Sequence, residues 1–465
     1  MTLRIPVPPA LRRMASDEYR PLPWRAADQR ALSTLSDHMA ADARRAGLDL
    51  RSYVESRTGT AATLRAIDEA AGGGFYQVPA EAAVDPQAAA EAFASDGAVV
   101  DVQTHLVRPS RFASPAAAGL LGYLQMVDPE RWGDGVNPEL ISAPQWASLV
   151  FGSSETRVAL LTSLPSPPDD NVLTNAEIAA TREIVDRYAG SGRVLTHTIV
   201  HPNLGAEELE AMESWRDQLR PSGWKVYTLW DTPERTASGA EDVGWFLDDE
   251  QTGLPFLERV RALGPRIVCS HKGIAGPIPS LAPASSSPRD VGPAAAAFPD
   301  ITFLVYHSGY EPDAEGEEAE HDAAPDRGVS RLVTSLDAAG IPPNANVYAE
   351  LGSTWFLMMR RPREAAHVLG KLLRAVGDER IVWGTDSIWY GSPQFLIDAF
   401  RAFTIPEWMQ EKYGYPQLTR EAKARILGSN AADVYGLDYG ELCRSPDRDV
   451  QWLERASAEL AAALD

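Results

Sequence analysis

Eight short runs of β-branched and apolar residues, each followed by a polar loop and then by a helical pattern, constrain this chain more than any other feature. The runs cover 98–105, 158–162, 195–201, 225–229, 267–271, 301–307, 347–351 and 381–385, with starts roughly thirty to sixty residues apart. Helical periodicity fills intervals such as 175–188, 206–219 and 362–376. Parallel strands need crossovers of a dozen residues or more, usually a helix. Eight such units predict an α/β fold, a (β/α)8 TIM barrel, whose chemistry belongs at the carboxyl ends of the strands. A doubly wound open sheet would usually carry a Gly-rich phosphate turn after its first strand; none follows Ala98–His105.

The barrel accounts for residues 96–440. Residues 1–95 read as an N-terminal helical extension, with helical patterns over 27–46 and 61–71 and a break at Gly72-Gly73-Gly74. Residues 441–465 read as a C-terminal helix. Long segments at 106–155, 274–298 and 311–328 are expected over the barrel mouth, where such loops shape pockets or lids; the acidic 311–328 stretch reads equally well as a solvated run. A formal charge of −22 argues against nucleic acid or an anionic membrane as partner. No apolar run reaches membrane-span length. Arg12-Arg13 is not followed by the apolar segment of a secretion signal, and two cysteines make no disulfide framework, so a cytoplasmic location is expected.

Residues two apart on a strand share a face. Asp101, Gln103 and His105 therefore lie together at the end of the first run. Five of the eight histidines fall near strand ends: His105, His197, His201, His271 and His307. A lone strand-end histidine is usually a hydrogen-bonded core residue; five at one end of one barrel point to a metal. Imidazole is the commonest metal ligand, and Glu350 and Asp386, also at strand ends, would complete the shell. Gln103, His105, His201, His271, His307, Glu350 and Asp386 make seven donors. That exceeds one tetrahedral zinc with an open position and suits two metals, or one metal with an acid–base group. Alternatively, Gln103 only bonds a neighbour and the site is mononuclear. His197 lies deeper and is expected to orient a ligand. Cys269 reads as core.

Asp101-x-Gln103-x-His105, Ser270-His271-Lys272-Gly273, Tyr306-His307-Ser308-Gly309, Gly384-Thr385-Asp386 and Ile426-Leu427-Gly428-Ser429-Asn430-Ala431-Ala432 occur in the order found in metal-dependent amidohydrolases. Over roughly residues 96–440 the chain resembles the decarboxylase-like branch of that superfamily. The resemblance implies His105, His271, His307 and Asp386 as ligands. It also matches Lys225 to a strand-four lysine that some members carbamylate into a metal bridge. Gln103 departs from the pattern, since the family has a second histidine there. The altered first strand, the additional His201 and Glu350 and the long extension resemble most a smaller group, the TIM-barrel nonheme di-iron monooxygenases typified by the hydroxylase of platensimycin and platencin biosynthesis.

That resemblance implies two iron ions, with one zinc or manganese as the alternative, and dioxygen as co-substrate. The expected reaction is hydroxylation of an unactivated C–H bond in an acyl or coenzyme A-linked substrate, a diterpenoid being one candidate, with electrons from a separate reductase. Lys225 and His197 are the expected catalytic residues, and a homodimer is the expected assembly. Trp132, Trp230, Trp355, Trp389, Tyr310 and Tyr390 are candidates to line a terpenoid-sized pocket, or ordinary packing; Arg360, Arg361 and Arg363 could meet coenzyme A phosphates, or sit at a solvated helix start. The alternative is a metal-dependent hydrolase or nonoxidative decarboxylase, with a metal-bound water as nucleophile and Asp386 or a histidine as general base. A barrel with a decayed site is the third reading. A carbamylated Lys225 favours hydrolysis; an unmodified Lys225 with Glu350 on the metals favours oxygen chemistry.

Overall fold

The computed structural model describes the chain except residues 1–5, 96, 114–121, 123, 127–128, 133–136, 166–170, 191, 239–242, 276–282, 313–318, 445–450 and 465. Eight strands, β1 (Val99–Thr104), β2 (Thr156–Leu161), β3 (Val194–Ile199), β4 (Gly223–Tyr227), β5 (Ile267–His271), β6 (Thr302–Tyr306), β7 (Val347–Glu350) and β8 (Ile381–Val382), pair in parallel in sequence order. The sheet closes on itself. Val102 N donates to Trp383 O at 2.9 Å, Asp386 N to Gln103 O at 2.9 Å and His105 N to Ser387 O at 2.6 Å. The expected TIM barrel is therefore what forms.

The strands are buried on both faces because helices cover the outside, and so they read as continuous apolar runs. The extension contributes α1 (Ala26–Arg45), α2 (Leu50–Glu55), α3 (Arg57–Ala71) and α4 (Pro86–Ala92). In the barrel the main covering helices are α5 (Asn175–Ala189), α6 (Ala206–Leu219), α7 (Gly253–Leu263), α8 (Val329–Ala338), α9 (Pro362–Ala375) and α10 (Gln394–Ala402). After the barrel, α11 (Gln451–Leu464) folds back onto α5. Among the described residues no helix is long and apolar enough to cross a membrane.

Gly72, Gly73 and Gly74 all take positive φ, between 83° and 98°, which glycine alone adopts without penalty. This turn lets the Asp68 carboxylate accept from the backbone N–H groups of Gly74, Phe75 and Tyr76 and stop α3. Arg57 at the start of α3 binds Asp398 of α10 and Glu155 ahead of β2, tying the extension to the barrel wall.

The first part of the extension differs from the expected helical reading. Apart from one short turn at Pro9–Leu11, the described residues before Ala26 are not helical. Residues 14–19, 21 and 22 are nevertheless buried. With no helical period to fold on itself, this strap gains its burial by packing against the rest of the protein. Met14, Ala15, Tyr19 and Leu22 join the main apolar core, while the Tyr19 hydroxyl bonds the Tyr390 hydroxyl at 2.7 Å and Arg360 Nη2 donates to Leu22 O at 2.9 Å.

Candidate metal centre

Three histidines at the carboxyl ends of β1, β5 and β6 share one arrangement. His105 faces Thr162 O through Nδ1 at 2.9 Å, His271 faces Ile274 O through Nε2 at 2.5 Å, and His307 faces Gly352 O through Nδ1 at 2.6 Å. A carbonyl only accepts, so each of these nitrogens carries the proton, and in the neutral ring the other nitrogen keeps a lone pair. Those other nitrogens point at acids: His105 Nε2 lies 3.1 Å from Asp386 Oδ1, and His271 Nδ1 and His307 Nε2 lie 3.1 and 3.2 Å from the two oxygens of Glu18. Fixing the tautomer through a backbone carbonyl is how proteins orient metal-ligating imidazoles.

Gln103 links the two groups, its Nε2 lying 3.1 Å from Asp386 Oδ1 and 3.4 Å from His307 Nε2. The amide's two ends are nearly isosteric, so a turn of the group would present oxygen instead. Asp17 and Lys225 complete the surroundings. Both oxygens of Asp17, Glu18 Oε2, Gln103 Oε1, His105 Nε2, His271 Nδ1 and Lys225 Nζ are buried without a hydrogen-bond partner. Buried polar groups are nearly always satisfied, so this many orphaned atoms around one point fit a missing cation. Glu18, His271 and His307 place their ligand atoms within 4.8 Å of one another.

The electrostatics agree. Burial works against the Glu18 charge, yet His271 and His307 hold its carboxyl well below the usual range. Burial also opposes protonation of His307, but Glu18, Asp386 and Glu350 raise it to about 9. Burial, then Glu18 and Asp386, push Asp17 well up. Burial lowers Lys225 to about 8, and its Nζ rests over the Tyr306 ring at 3.5 Å. The acids thus call for positive charge, which His307 supplies when no metal is bound.

The backbone is strained at the same place. His307, Ser308, Ser353 and Asp386 all lie in the left-handed region, with φ between 52° and 64°. Such conformations cost on the order of 1–3 kcal/mol each and cluster at functional sites. Asp386 Oδ2 accepts from Ser353 Oγ, which in turn lies 2.5 Å from Tyr390 Oη. Tyr390 also lines a cavity of about 420 Å³, with Met14 of the strap on its wall.

The structure brings together Gln103, His105, His271, His307 and Asp386, with Lys225 beside them. Glu350 lies beside this cluster, while His201 and His197 lie apart from it. Glu350 is spent on the backbone: its Oε2 accepts from His307 N at 2.9 Å and its Oε1 from Gly352 N at 2.5 Å. His201 packs against the Trp230 ring at 4.4 Å, and burial lowers it to about 4; Glu208 Oε1 accepts from its backbone N–H at 2.9 Å. His197 lies among hydroxyls: its Nε2 meets Tyr435 Oη at 3.0 Å and its Nδ1 meets Tyr306 Oη at 3.3 Å. Asp101 is a staple between β1 and β8, its carboxylate accepting from Gln103 N, Thr385 N and Thr385 Oγ1.

Asp17 and Glu18 were not among the residues expected from the sequence. They stand between Ser16 and Tyr19, outside any helical or strand period, and no spacing marks them. Of the aromatic candidates Tyr390 lines a cavity, whereas Trp355 Nε1 bonds Leu396 O at 3.0 Å, Tyr310 Oη bonds Glu364 Oε1 at 2.9 Å, and Trp132, Trp230 and Trp389 are buried. Arg360, Arg361 and Arg363 line a separate pocket of about 220 Å³ with Arg25 and Arg30. Of the loops expected over the mouth, parts of 106–155, 274–298 and 311–328 lie outside the described residues.

No curated protein matches the sequence. Among solved structures, 2,6-dihydroxybenzoate decarboxylase from Rhizobium is similar at 15% identity over 74% of this chain and 99% of that one, with a TM-score of 0.41. A 5-carboxyvanillate decarboxylase from Novosphingobium aromaticivorans, complexed with manganese, is similar at 13% identity over 73% and 96%, with a TM-score of 0.44. A dihydroxybenzoic acid decarboxylase from Polaromonas sp. JS666 with bound manganese gives 15% identity over 74% and 99%, and 0.43. The amidohydrolase family model matches residues 100–437, well over half of the chain, and the protein belongs to that family.

Proposed function

We propose that this protein is a metal-dependent enzyme that carries out hydrolysis or nonoxidative decarboxylation of a small, polar substrate. The observation that carries this reading is the set of three imidazoles, His105, His271 and His307, each pinned through one nitrogen to a carbonyl with the other facing buried acids. His105, Asp386, His271, His307 and the Gln103 amide would hold the ion. A divalent cation there supplies Lewis acidity and lowers the pKa of a coordinated water.

The chain's own groups supply proton handling and orientation. Asp386 Oδ1 stands next to His105 Nε2 and is placed to take a proton there. From Asp386 Oδ2, the hydroxyls of Ser353, Tyr390 and Tyr19 form a continuous hydrogen-bonded chain. Lys225, buried and lacking a hydrogen-bond partner, is placed to meet a substrate carboxylate or a developing oxyanion. Near-complete burial of Glu18, His271, His307 and Asp386 keeps bulk water from the reacting atoms.

A second reading, a di-iron monooxygenase on an acyl or coenzyme A-linked substrate, has one observation in its favour: Asp17 and Glu18 enlarge the donor set beyond what one ion needs. Against it stands Glu350, which binds backbone amides instead of the donor cluster. Metal analysis of anaerobically purified protein, followed by turnover of carboxylated aromatic and lactone substrates without oxygen, tests the proposal. Product or CO2 release under argon with a non-redox ion supports it. About two irons per chain with substrate-linked oxygen uptake would overturn it in favour of the second reading.

A further inference from the structure

The strap that precedes α1 reaches the centre of the barrel, and we propose that its Asp17 and Glu18 are metal ligands, so that the ion clasps the extension onto the barrel mouth. This rests on the metal-dependent reading above but concerns residues outside the barrel and outside the span of the family match, which begins at residue 100.

Glu18 is 2% exposed and Asp17 1%. Glu18 sets one oxygen against each of the two histidine nitrogens left after the carbonyls of Ile274 and Gly352 have taken the others. Its three-residue group with His271 and His307 is compact enough for one ion. Both oxygens of Asp17 are buried with no donor beyond its own backbone, in the field of Glu18 and Asp386, with Lys225 as the opposing charge. Placing three buried carboxylates side by side is costly unless a cation or several strong donors neutralise them. The other strap contacts supply no such compensation for Asp17. Ser16 Oγ accepts from Glu18 N at 3.0 Å, Tyr19 meets Tyr390 and the Leu22 carbonyl meets Arg360. These anchors position the two acids and leave their oxygens directed inward. A loop selected only to plug the mouth would bury apolar groups there.

Two donor groups result. Gln103, His105 and Asp386 stand on the β1 and β8 side, while Glu18, His271 and His307 stand on the β5 and β6 side.

The test compares wild type, Glu18→Gln, Asp17→Asn and His201→Gln by metal content after dialysis against manganese, zinc or ferrous ion. Hydrogen exchange over residues 6–25 is measured with and without chelator. Expected is a loss of affinity on the order of tenfold or more in both strap variants, with His201→Gln unchanged. In wild type, chelation should speed exchange across the strap, and in Glu18→Gln the metal should no longer slow it. Should Glu18→Gln fail to fold, the chelator-dependent exchange of wild type and the metal content of Asp17→Asn still decide. Unchanged affinity in the strap variants, or strap exchange indifferent to metal, overturns the clasp while leaving the metal enzyme standing. A wild-type chain that takes up no divalent cation overturns both.

Discussion

At the scale of single residues, what separates a ligand from a core histidine is the partner of its second nitrogen. His105, His271 and His307 each have a backbone carbonyl on one side and acids on the other. His197 has hydroxyls on both sides, and His201 has an indole. The sequence shows five histidines near strand ends but not these partners, because Thr162, Ile274 and Gly352 come from neighbouring loops whose backbone direction no spacing encodes. Accordingly, His271→Ala should lose bound metal and activity together, whereas His201→Ala should keep its metal; elemental analysis of the two proteins decides. Glu350 belongs with structure. Removing it in Glu350→Ala strands the His307 and Gly352 N–H groups, at a cost of about 2–5 kcal/mol readable in urea unfolding. A variant as stable as wild type would show that these bonds are not what the carboxylate is for.

At the scale of elements, the barrel was legible because β-branched runs and amphipathic stretches alternate along the chain, and strand limits moved by only a few residues. The strap was illegible for the opposite reason. It has no period, and it is ordered by what it touches. Near the metal centre, the loops just after β7 and β8 carry glycines that leave room for Glu350 and Gln103: a Cβ on Gly384 would lie 1.8 Å from Glu350 Oε1, and one on Gly352 would lie 2.1 Å from Gln103 Oε1 and 2.7 Å from Glu350 Oε1. Gly384→Ala should therefore displace the carboxylate that holds the His307 amide, lowering both thermal stability and metal affinity. A normal melting curve with full metal content would refute that coupling.

At the scale of the whole molecule, the extension meets the barrel at several places, among them the strap at the mouth, the antiparallel bridge of Tyr76 with Phe403, and the charged network of Arg57, Glu155, Asp398 and Arg401 on the wall. Burial opposes the Glu155 charge, but Arg401 and Arg57 hold its folded pKa below the unfolded value. A depressed carboxylate stabilises the fold above its unfolded pKa, near 4.5, and loses that contribution as pH falls through the folded one. Wild type should thus exceed Glu155→Gln by about 1–2 kcal/mol at pH 7, with the gap closing below roughly pH 4.5. A gap that stays constant across the titration would assign the effect to packing. Metal should add stability in proportion to the logarithm of its concentration over its dissociation constant. Chelation should therefore lower the melting temperature, and a melting temperature that ignores chelator would count against a resident ion.

Tyr19 and Tyr390 touch although 371 residues separate them in the chain. During synthesis the strap is made before every strand of the barrel, and Tyr390, which holds it, comes after the last of them. Glu18 must wait for His271 and His307 at the ends of β5 and β6. Metal loading is consequently a finishing step, and the amino-terminal end is where a newly made chain would reveal whether it has been completed.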